Sequence, residues 1–288
     1  MILHGFPVKE KIKEVLIERI KKLEKKSFLA IVQVGDRADS NVYVRQKQKF
    51  GEEIGVKVLI NKFDVDIKEE DLTREIKKLN EDESVNGIIV QLPLPKHIDT
   101  EKIINLISIQ KDVDGLVSRT TLKLPQSQRV VLDTISATAR GVLALLDYYE
   151  ITVKDKKVAV IGQGILAGKP IALELEKRGA EVFRCDVDTP NISEITKGCD
   201  ILISAVGKAG LITKEFVNPK QVVIDVGINK ITPPNPLLLQ EGEQKSKIVG
   251  DVNFEEVSPI VSSITPVPGG IGPLTVACLF ENLLDLCE

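Results

Sequence analysis

The sequence predicts an α/β protein with two domains, and three observations support this prediction. Strand-like segments alternate with helical patterns almost from end to end of the 288 residues. The strands are mostly continuous apolar runs rich in β-branched residues, which is typical of parallel sheets covered by helices on both faces. They fall into two series, separated by an irregular stretch and a helical segment between residues 111 and 150. We therefore expect two α/β domains with a cleft between them.

The two series can be followed along the chain. In the first, we predict strands at 28–35, 56–63 and 87–94 and helices at 7–26, 40–54 and 68–80. The second begins near residue 156 with KVAVIGQG and continues through AEVFRCD, CDILISAVG and QVVIDVGIN. A last helix is predicted from Pro273 to Leu286, and the Pro-rich, charged piece at 232–247 is predicted to be a surface excursion.

Composition argues against several classes of function. The formal net charge of −3 gives no electrostatic reason to expect nucleic acid or an anionic membrane as a partner. No apolar run reaches the length that spans a bilayer, and the N-terminus lacks the apolar core of a secretory signal. The four cysteines are scattered without metal-ligand spacing, and there are only two histidines. We therefore expect free thiols in a reducing cytoplasm and no metal centre.

A glycine-rich turn opens the second series. Gly162, Gly164 and Gly168 follow a strand and open a helix, and Pro170 suits the first turn of that helix. The spacing GxGxxxG is one residue longer than the dinucleotide fingerprint. Glycines let the backbone approach a pyrophosphate, and the helix N-terminus supplies N–H donors. The pattern favours dinucleotide binding, and the alternative is an ordinary turn between a strand and a helix.

The strand after this helix ends in acidic residues. Asp186 and Asp188 flank Val187 directly after AEVFRC. A carboxylate at this place can accept hydrogen bonds from the ribose of an adenosine. The alternative is an exposed carboxylate with no ligand.

One helix of the first series carries a lysine on its apolar face. In SNVYVRQKQKFGEEIG the 3.6-residue spacing places Tyr43, Lys47, Phe50 and Ile54 on the inward stripe. Two further polar residues accompany Lys47. Gln91 lies at the carboxyl end of GIIVQLPL, where ligands of open α/β sheets gather, and Asp114 lies in the KDVDG turn. Each has an ordinary alternative, since a lysine can reach solvent, a glutamine can cap a strand and an aspartate can form a turn.

Together these motifs resemble one enzyme family over essentially the full chain. SNVYVRQKQK, GIIVQLPLP, KDVDG, GQGILAGKP, AVGKAGLI, VVIDVGIN, GDV and TPVPGGIGPLT closely resemble the bifunctional methylenetetrahydrofolate dehydrogenase/cyclohydrolases of one-carbon metabolism. The resemblance implies oxidation of 5,10-methylenetetrahydrofolate with NAD(P) and hydrolysis of the methenyl product to 10-formyltetrahydrofolate. It also implies a cytoplasmic homodimer, joined through the cofactor domain, that serves purine biosynthesis.

The resemblance also implies a domain plan and a set of site residues. We expect an N-terminal α/β folate-binding catalytic domain at 1–146, with 273–288 packing back on it, and a Rossmann-type dinucleotide-binding domain at 147–272. Lys47 matches the catalytic lysine, and the other catalytic or folate-binding matches are Tyr43, Gln91, Asp114, Pro268, Gly269 and Gly270. The cofactor-binding matches are Gly162, Gln163, Gly164, Gly168, Asp186, Val187, Ile228 and Thr138.

The chain departs from the family pattern at the cofactor loop. Gln163 and Gly164 stand where Arg-Ser is usual, and Asp186-Val187 stands where His-Ser is common. The acidic residues disfavour the 2′-phosphate of NADP, so we predict NAD as the preferred cofactor although the family most often uses NADP. Two other motifs are altered, at 136–139 and in the segment SRTTLKLPQ.

Two alternative functions stay open at the level of sequence. The first is a dehydrogenase of the same fold without cyclohydrolase activity. The second is a non-catalytic protein that binds a folate or a dinucleotide. The presence of Tyr43, Lys47 and Gln91 argues against the first, and the altered cofactor loop is the support for the second.

Overall fold

The computed structural model describes residues 1–23, 27–117, 134–231 and 247–288 of the chain. These residues divide into two compact units. The three-strand unit comprises Glu10–Ala137 and Val276–Glu288, and the five-strand unit comprises Met1–Lys9 and Thr138–Thr275. The predicted surface excursion at 232–247, apart from its last residue, and the altered segment SRTTLKLPQ lie outside the described residues. The predicted domain boundary at residue 146 stays a prediction.

The three-strand unit is built on a parallel sheet in the order β2–β1–β3. Its strands are β1 (Phe28–Val34), β2 (Lys57–Phe63) and β3 (Gly87–Val90), and its helices are α1 (Gly5–Lys22, from Glu10 onward), α2 (Ala38–Ile54), α3 (Glu69–Glu81) and α4 (Thr100–Ile104). The strands β1 and β3 are buried almost throughout, as their continuous apolar sequences predict. The strand β2 lies at the edge, and exposed residues alternate along it.

The helices of this unit bury the stripes that their sequence spacing predicts. In α3 the buried residues are Leu72, Ile76 and Leu79, which recur at the helical period. The helix α2 ends at Gly55, whose φ of 88° is left-handed. A glycine adopts this conformation without the steric cost that a Cβ adds, so Gly55 can terminate the helix.

The five-strand unit contains a parallel sheet in the order β10–β7–β6–β4–β5. The strands are β4 (Lys157–Ile161), β5 (Glu181–Cys185), β6 (Ile201–Ser204), β7 (Val222–Asp225) and β10 (Ser263–Ile264). The helices are α5 (Ala137–Tyr148), α6 (Gly168–Lys177), α7 (Ile192–Lys197) and α8 (Phe254–Val257), and β8 (Asn229–Ile231) pairs with β9 (Lys247–Val249) as an antiparallel ribbon. The final helix α9 spans Ile271–Asp285 and crosses the boundary between the units.

The strand order of the five-strand unit defines a ligand-binding edge. From β4 the chain proceeds to β5 on one side and then returns to β6 on the other side. In open α/β sheets, ligands bind outside the carboxyl ends of the strands where the order reverses. That place here is the carboxyl ends of β4 and β6, which are followed by Gly162 and Ala205.

Candidate active site

Lys47 lies inside the three-strand unit and not at its surface. The residue is 8% exposed, and its Nζ donates a hydrogen bond of 3.0 Å to Oε1 of Gln91. The other end of the Gln91 amide is also fixed, because Nε2 donates to the carbonyl of Leu92 at 2.9 Å. This second bond turns the amide so that its oxygen faces the lysine. Tyr43, one helical turn before Lys47 on α2, is half-buried.

Burial changes the acid–base properties of this lysine. Removal from water lowers the pKa of Lys47 below its ordinary value, and the negative charge of Asp114 opposes that shift. The hydrogen-bond partner Gln91 is neutral and therefore does not compensate the charge of an ammonium group. An amine with a lowered pKa can accept a proton more often near neutral pH than an exposed lysine can.

The packing of α2 holds Lys47 in this position. One turn after the lysine, a Cβ at Gly51 would overlap Val58 of β2 and press on the ring of Phe280. The absence of a side chain therefore lets α2 approach both β2 and α9. Phe50 packs against Phe280 with ring centroids 5.4 Å apart, which adds aromatic contact on the same face.

The two aspartates of the KDVDG turn have different surroundings. The carboxylate of Asp112 is fully buried and accepts a hydrogen bond from the Val117 N–H at 2.8 Å. Asp114 is half-buried and is the residue whose charge acts on Lys47. Gly115, with a φ of 64°, completes the turn. Asp112 thus stabilises the turn, and Asp114 contributes charge to the site.

Sequence reasoning missed a residue that supports this turn. Asn282 of α9 is 1% exposed, and its Nδ2 donates to the carbonyls of Val113 and Ile135 at 2.8 and 2.7 Å. These bonds connect the backbone of the KDVDG turn, at Val113, with the backbone at Ile135. An asparagine within the apolar helix IGPLTVACLFENLLD is the signal that could have indicated a buried polar role.

The glycine turn of the five-strand unit has the features of a dinucleotide loop. Gly162 has a φ of 88°, and a Cβ at this position would overlap the carbonyl oxygen of Ala205. A Cβ at Gly168 would overlap the carbonyl oxygen of Gly162, so helix α6 approaches the end of β4 closely. A Cβ at Gly164 would meet nothing within 4 Å. The first and last glycines are thus needed for the turn, and the middle one leaves open space beside it.

Most of the remaining predicted cofactor residues follow the carboxyl ends of β4, β5 and β7, and Thr138 lies elsewhere along the chain. Gln163 is half-buried, and its Nε2 donates to the carbonyl of Val160 at 2.9 Å. Asp186 and Val187 are exposed after β5, where the Asp186 N–H donates to the Thr189 hydroxyl. Ile228, 44% exposed, follows β7, and Thr138 lies in the first turn of α5.

The predicted folate loop Pro268–Gly270 also belongs to the five-strand unit. The carbonyl of Gly269 accepts a hydrogen bond from the Gly5 N–H at 2.8 Å. A Cβ at Gly5 would overlap the carbonyl oxygen of Gly270, so a side chain at Gly5 would displace this loop. The structure therefore brings Tyr43, Lys47, Gln91 and Asp114 together in one unit, and places the loop and the cofactor residues in the other.

A pair of buried aspartates in the five-strand unit was also missed. Asp225 ends β7, and its carboxylate accepts the N–H groups of Gly227, Asp251 and Val252 at 2.8 to 3.0 Å. Burial raises the pKa of Asp225 to about 7 against the opposing effect of these donors. Asp251 is fully buried and accepts hydrogen bonds from the loop that follows β6.

The described residues show no other kind of site. Within them, no group of three or more histidine, cysteine, aspartate or glutamate side chains could hold a metal ion. None of the helices among these residues combines the length and the apolar character needed to cross a membrane.

Comparison with known proteins decides the family. Residues 3–114 match the catalytic domain of tetrahydrofolate dehydrogenase/cyclohydrolase, and residues 136–288 match its NAD(P)-binding domain. The chain belongs to the tetrahydrofolate dehydrogenase/cyclohydrolase family. The predicted family, the two-domain α/β fold with a Rossmann-like NAD(P)-binding domain and the bifunctional enzyme class are thereby confirmed.

Named members of the family match along the whole chain. Bifunctional protein FolD 2 of Lactobacillus johnsonii is 39% identical over 99% of this chain and 96% of its own length. The bifunctional enzyme FolD of Campylobacter jejuni has a crystal structure that is 39% identical, covers 100% of this chain and 98% of that one, and superposes with a TM-score of 0.87. The FolD of Trypanosoma brucei, crystallised with NADP and an inhibitor, is 33% identical, with coverage of 100% and 97% and a TM-score of 0.90.

Proposed function

We propose that Lys47 performs the acid–base work of the cyclohydrolase reaction. The observation that carries this proposal is the buried Nζ held 3.0 Å from Oε1 of Gln91. A lysine that only filled space would direct its amine to solvent, since the free energy of burying an ammonium group is unfavourable. Here the amine is kept inside the unit by a neutral amide, and its pKa is lowered.

The proposed steps conserve protons. Water attacks the methenyl carbon of 5,10-methenyltetrahydrofolate, and the neutral amine of Lys47 accepts the proton that the water loses. The C–N5 bond of the resulting carbinolamine then breaks, and the Lys47 ammonium gives its proton to N5. The hydroxyl proton is released to solvent as the 10-formyl carbonyl forms, so the reaction yields one proton overall. The pKa of the amine must lie near the working pH for both transfers, and burial moves it in that direction.

The neighbouring residues bind and orient the folate in this proposal. Gln91 orients the amine of Lys47 by accepting one of its N–H groups, and the bond from Gln91 to the Leu92 carbonyl fixes the amide for this role. Asp114 accepts hydrogen bonds from the amino and N–H groups of the pterin, and Tyr43 packs against the ring system. We assign Pro268, Gly269 and Gly270 to the folate-binding loop by the same resemblance. In this proposal these residues contribute to catalysis by orienting the substrate.

The dehydrogenase reaction requires orientation more than acid–base help. A bound nicotinamide dinucleotide supplies the hydride acceptor at C4, while the folate nitrogens stabilise the methenyl cation that remains. We propose that the Gly162–Gly168 turn and the N-terminus of α6 receive the pyrophosphate. We propose that the dinucleotide also contacts Thr138, Ile228, Asp186 and Val187.

We further propose that the enzyme prefers NAD to NADP. Asp186 and Asp188 are exposed beyond β5, where a 2′-phosphate would meet negative charge. Arg184, two residues before Asp186, is a candidate to bind a 2′-phosphate. Its guanidinium is instead paired with both carboxylate oxygens of Glu176, at 3.0 and 2.8 Å. Gln163, in place of the usual arginine, directs its amide to backbone carbonyls.

The cellular setting follows the family in this proposal. We propose a homodimer joined through the cofactor domain, working in the cytoplasm and supplying 10-formyltetrahydrofolate to purine biosynthesis. The four cysteines are free thiols, and Cys185, Cys199 and Cys278 among them are buried, which suits a reducing compartment. Light scattering on the purified chain tests the dimer.

A paired assay tests the proposed function. Turnover of methylenetetrahydrofolate is measured with NAD and with NADP, and turnover of methenyltetrahydrofolate is measured with neither. We expect both reactions, with kcat/KM higher for NAD by about tenfold or more. A tenfold preference corresponds to about 1.4 kcal/mol of repulsion between the 2′-phosphate of NADP and the exposed aspartates. An NADP preference would overturn the cofactor assignment. Loss of the second reaction alone would indicate a monofunctional dehydrogenase, and loss of both a non-catalytic binding protein.

A further inference from the structure

The loop after β6 is held by an unusual number of bonds to one side chain. Both carboxylate oxygens of Asp251 accept hydrogen bonds from this loop and its surroundings. The donors are the N–H groups of Val206, Gly207 and Lys208 at 2.7, 3.2 and 2.9 Å, the Ser204 hydroxyl at 3.1 Å and the Asn229 amide at 2.9 Å. Three consecutive backbone N–H groups that converge on one carboxylate hold the loop in a single conformation.

This loop lies at the place where the strand order reverses. It follows β6, and the glycine turn follows β4, which is the neighbouring strand in the sheet. Gly162 of that turn is in contact with Ala205, because a Cβ there would overlap the Ala205 carbonyl oxygen. The loop at 205–208 therefore lies beside the glycine turn at the carboxyl end of the sheet.

Asp251 itself is too deeply buried to meet a ligand. Its exposed fraction is 0%, whereas Gly207 and Lys208 of the loop are exposed. The five donors satisfy both of its carboxylate oxygens, which stabilises the buried charge. Its backbone is fixed in turn, because its N–H donates to Asp225 at the end of β7.

We propose that Asp251 is a positioning residue for the dehydrogenase reaction, which holds the 205–208 loop in the conformation that binds the dinucleotide. The inference rests on the dinucleotide-binding role proposed for the five-strand unit. It predicts a selective effect. Hydrolysis of the methenyl substrate needs no dinucleotide, and its proposed acid–base residue Lys47 lies in the other unit, so it should not depend on the 205–208 loop.

The test variant is Asp251→Asn, which keeps the shape of the side chain and removes its charge. One oxygen is replaced by an NH₂ group that meets N–H donors, so the loop loses part of its support. We expect the Kd of NADH and the KM of the dinucleotide to rise about tenfold or more, because charge-assisted hydrogen bonds are lost. The KM of methylenetetrahydrofolate and the cyclohydrolase rate should stay within about twofold of the unmodified enzyme.

The matched control is Asp200→Asn at the opposite edge of the same sheet. Asp200 precedes β6, and its carboxylate accepts the Lys157 N–H at 2.9 Å. Its loss should leave the dinucleotide KM unchanged. If Asp251→Asn fails to fold, Asn229→Ala removes a single bond to Asp251 and should raise the dinucleotide KM about threefold.

The possible outcomes separate the two proposals. A fall in melting temperature for Asp251→Asn with unchanged dinucleotide KM would overturn the positioning role and leave a structural one. Equal losses of dehydrogenase and cyclohydrolase activity would also overturn it. If the unmodified enzyme shows no dinucleotide-dependent turnover, the proposed function itself fails, whatever the variant does.

Discussion

Two buried charged groups, Lys47 in one unit and Asp251 in the other, have opposite surroundings. In the three-strand unit, Lys47 donates to a neutral amide, and burial lowers its pKa although the charge of Asp114 opposes the shift. In the five-strand unit, Asp251 accepts bonds from five donors that together offset its charge. A group that must exchange a proton is kept poorly compensated, and a group that must hold a loop is fully hydrogen-bonded. The difference agrees with the roles proposed for the two residues, acid–base catalysis for Lys47 and loop positioning for Asp251.

The largest effect should come from removing the amine. Lys47→Met keeps the length and the apolar stem of the side chain, and we expect cyclohydrolase activity to fall about a thousandfold, the scale of lost acid–base catalysis. Folate binding should persist. The melting temperature should stay equal or rise, because a buried lysine with a lowered pKa is itself unfavourable for stability.

The control for this change is Lys49→Met on the same helix. Lys49 is exposed, so its loss should leave both activities unaltered. Cyclohydrolase assays and folate binding on the two variants decide the matter. Conversion of methenyltetrahydrofolate by Lys47→Met at the unmodified rate would rule out the acid–base role.

The next effect concerns stability and pH in the five-strand unit. The pKa of Asp225 is raised to about 7, so between its unfolded value, about 4, and pH 7 the folded state holds a proton that the unfolded state has lost. This contribution to stability is complete below about pH 4 and disappears as the pH rises to about 8. Its size is at most about 4 kcal/mol.

Urea unfolding of the enzyme and of Asp225→Asn checks this expectation. The amide does not titrate, so the unmodified protein should lose stability relative to the variant as the pH rises from about 4 to about 8. A difference in unfolding free energy that is constant with pH would contradict the prediction. It would mean that the N–H donors of Gly227, Asp251 and Val252 fully offset the effect of burial on the pKa.

A smaller effect should follow from giving Lys47 the charged partner that it lacks. In Gln91→Glu a carboxylate would stand at the place of an amide oxygen 3.0 Å from Nζ, and it would raise the pKa of the lysine. We expect the cyclohydrolase rate near neutral pH to fall about tenfold and its pH profile to move upward by about one unit. Gln46→Glu, an exposed change on the same helix, serves as the control. An unshifted profile would show that the proton passes through another group.

The position of Lys47 on the apolar side of its helix could be predicted from the sequence because helical periodicity is a local property. A helix repeats every 3.6 residues, so the apolar face of α2 can be identified from the sequence. A lysine on that face is exceptional and therefore marks a candidate site residue. The glycine turn was predictable for a similar reason, since its three glycines lie within seven residues of one another. The predicted segments 56–63 and 68–80 lie within one residue of β2 and α3.

The supporting residues could not be predicted in this way. Asn282 bonds to Val113 across 169 positions of the chain, and Asp251 bonds to Val206 across 45. No spacing rule links such pairs, because they meet only when the sheet and helices have assembled. The exposure of β2 was also missed. Its place in the strand order does not explain it, because β3 lies at the other edge of the same sheet and is buried.

The open space beside Gly164 has a consequence for how cofactor choice can change over time. A side chain added there would meet nothing within 4 Å, and Asp186 and Val187 are exposed. Substitutions at these positions do not require the interior to be repacked. If the proposed cofactor contacts hold, a few surface replacements would exchange one nicotinamide carrier for the other and leave the buried carboxylates and Lys47 untouched.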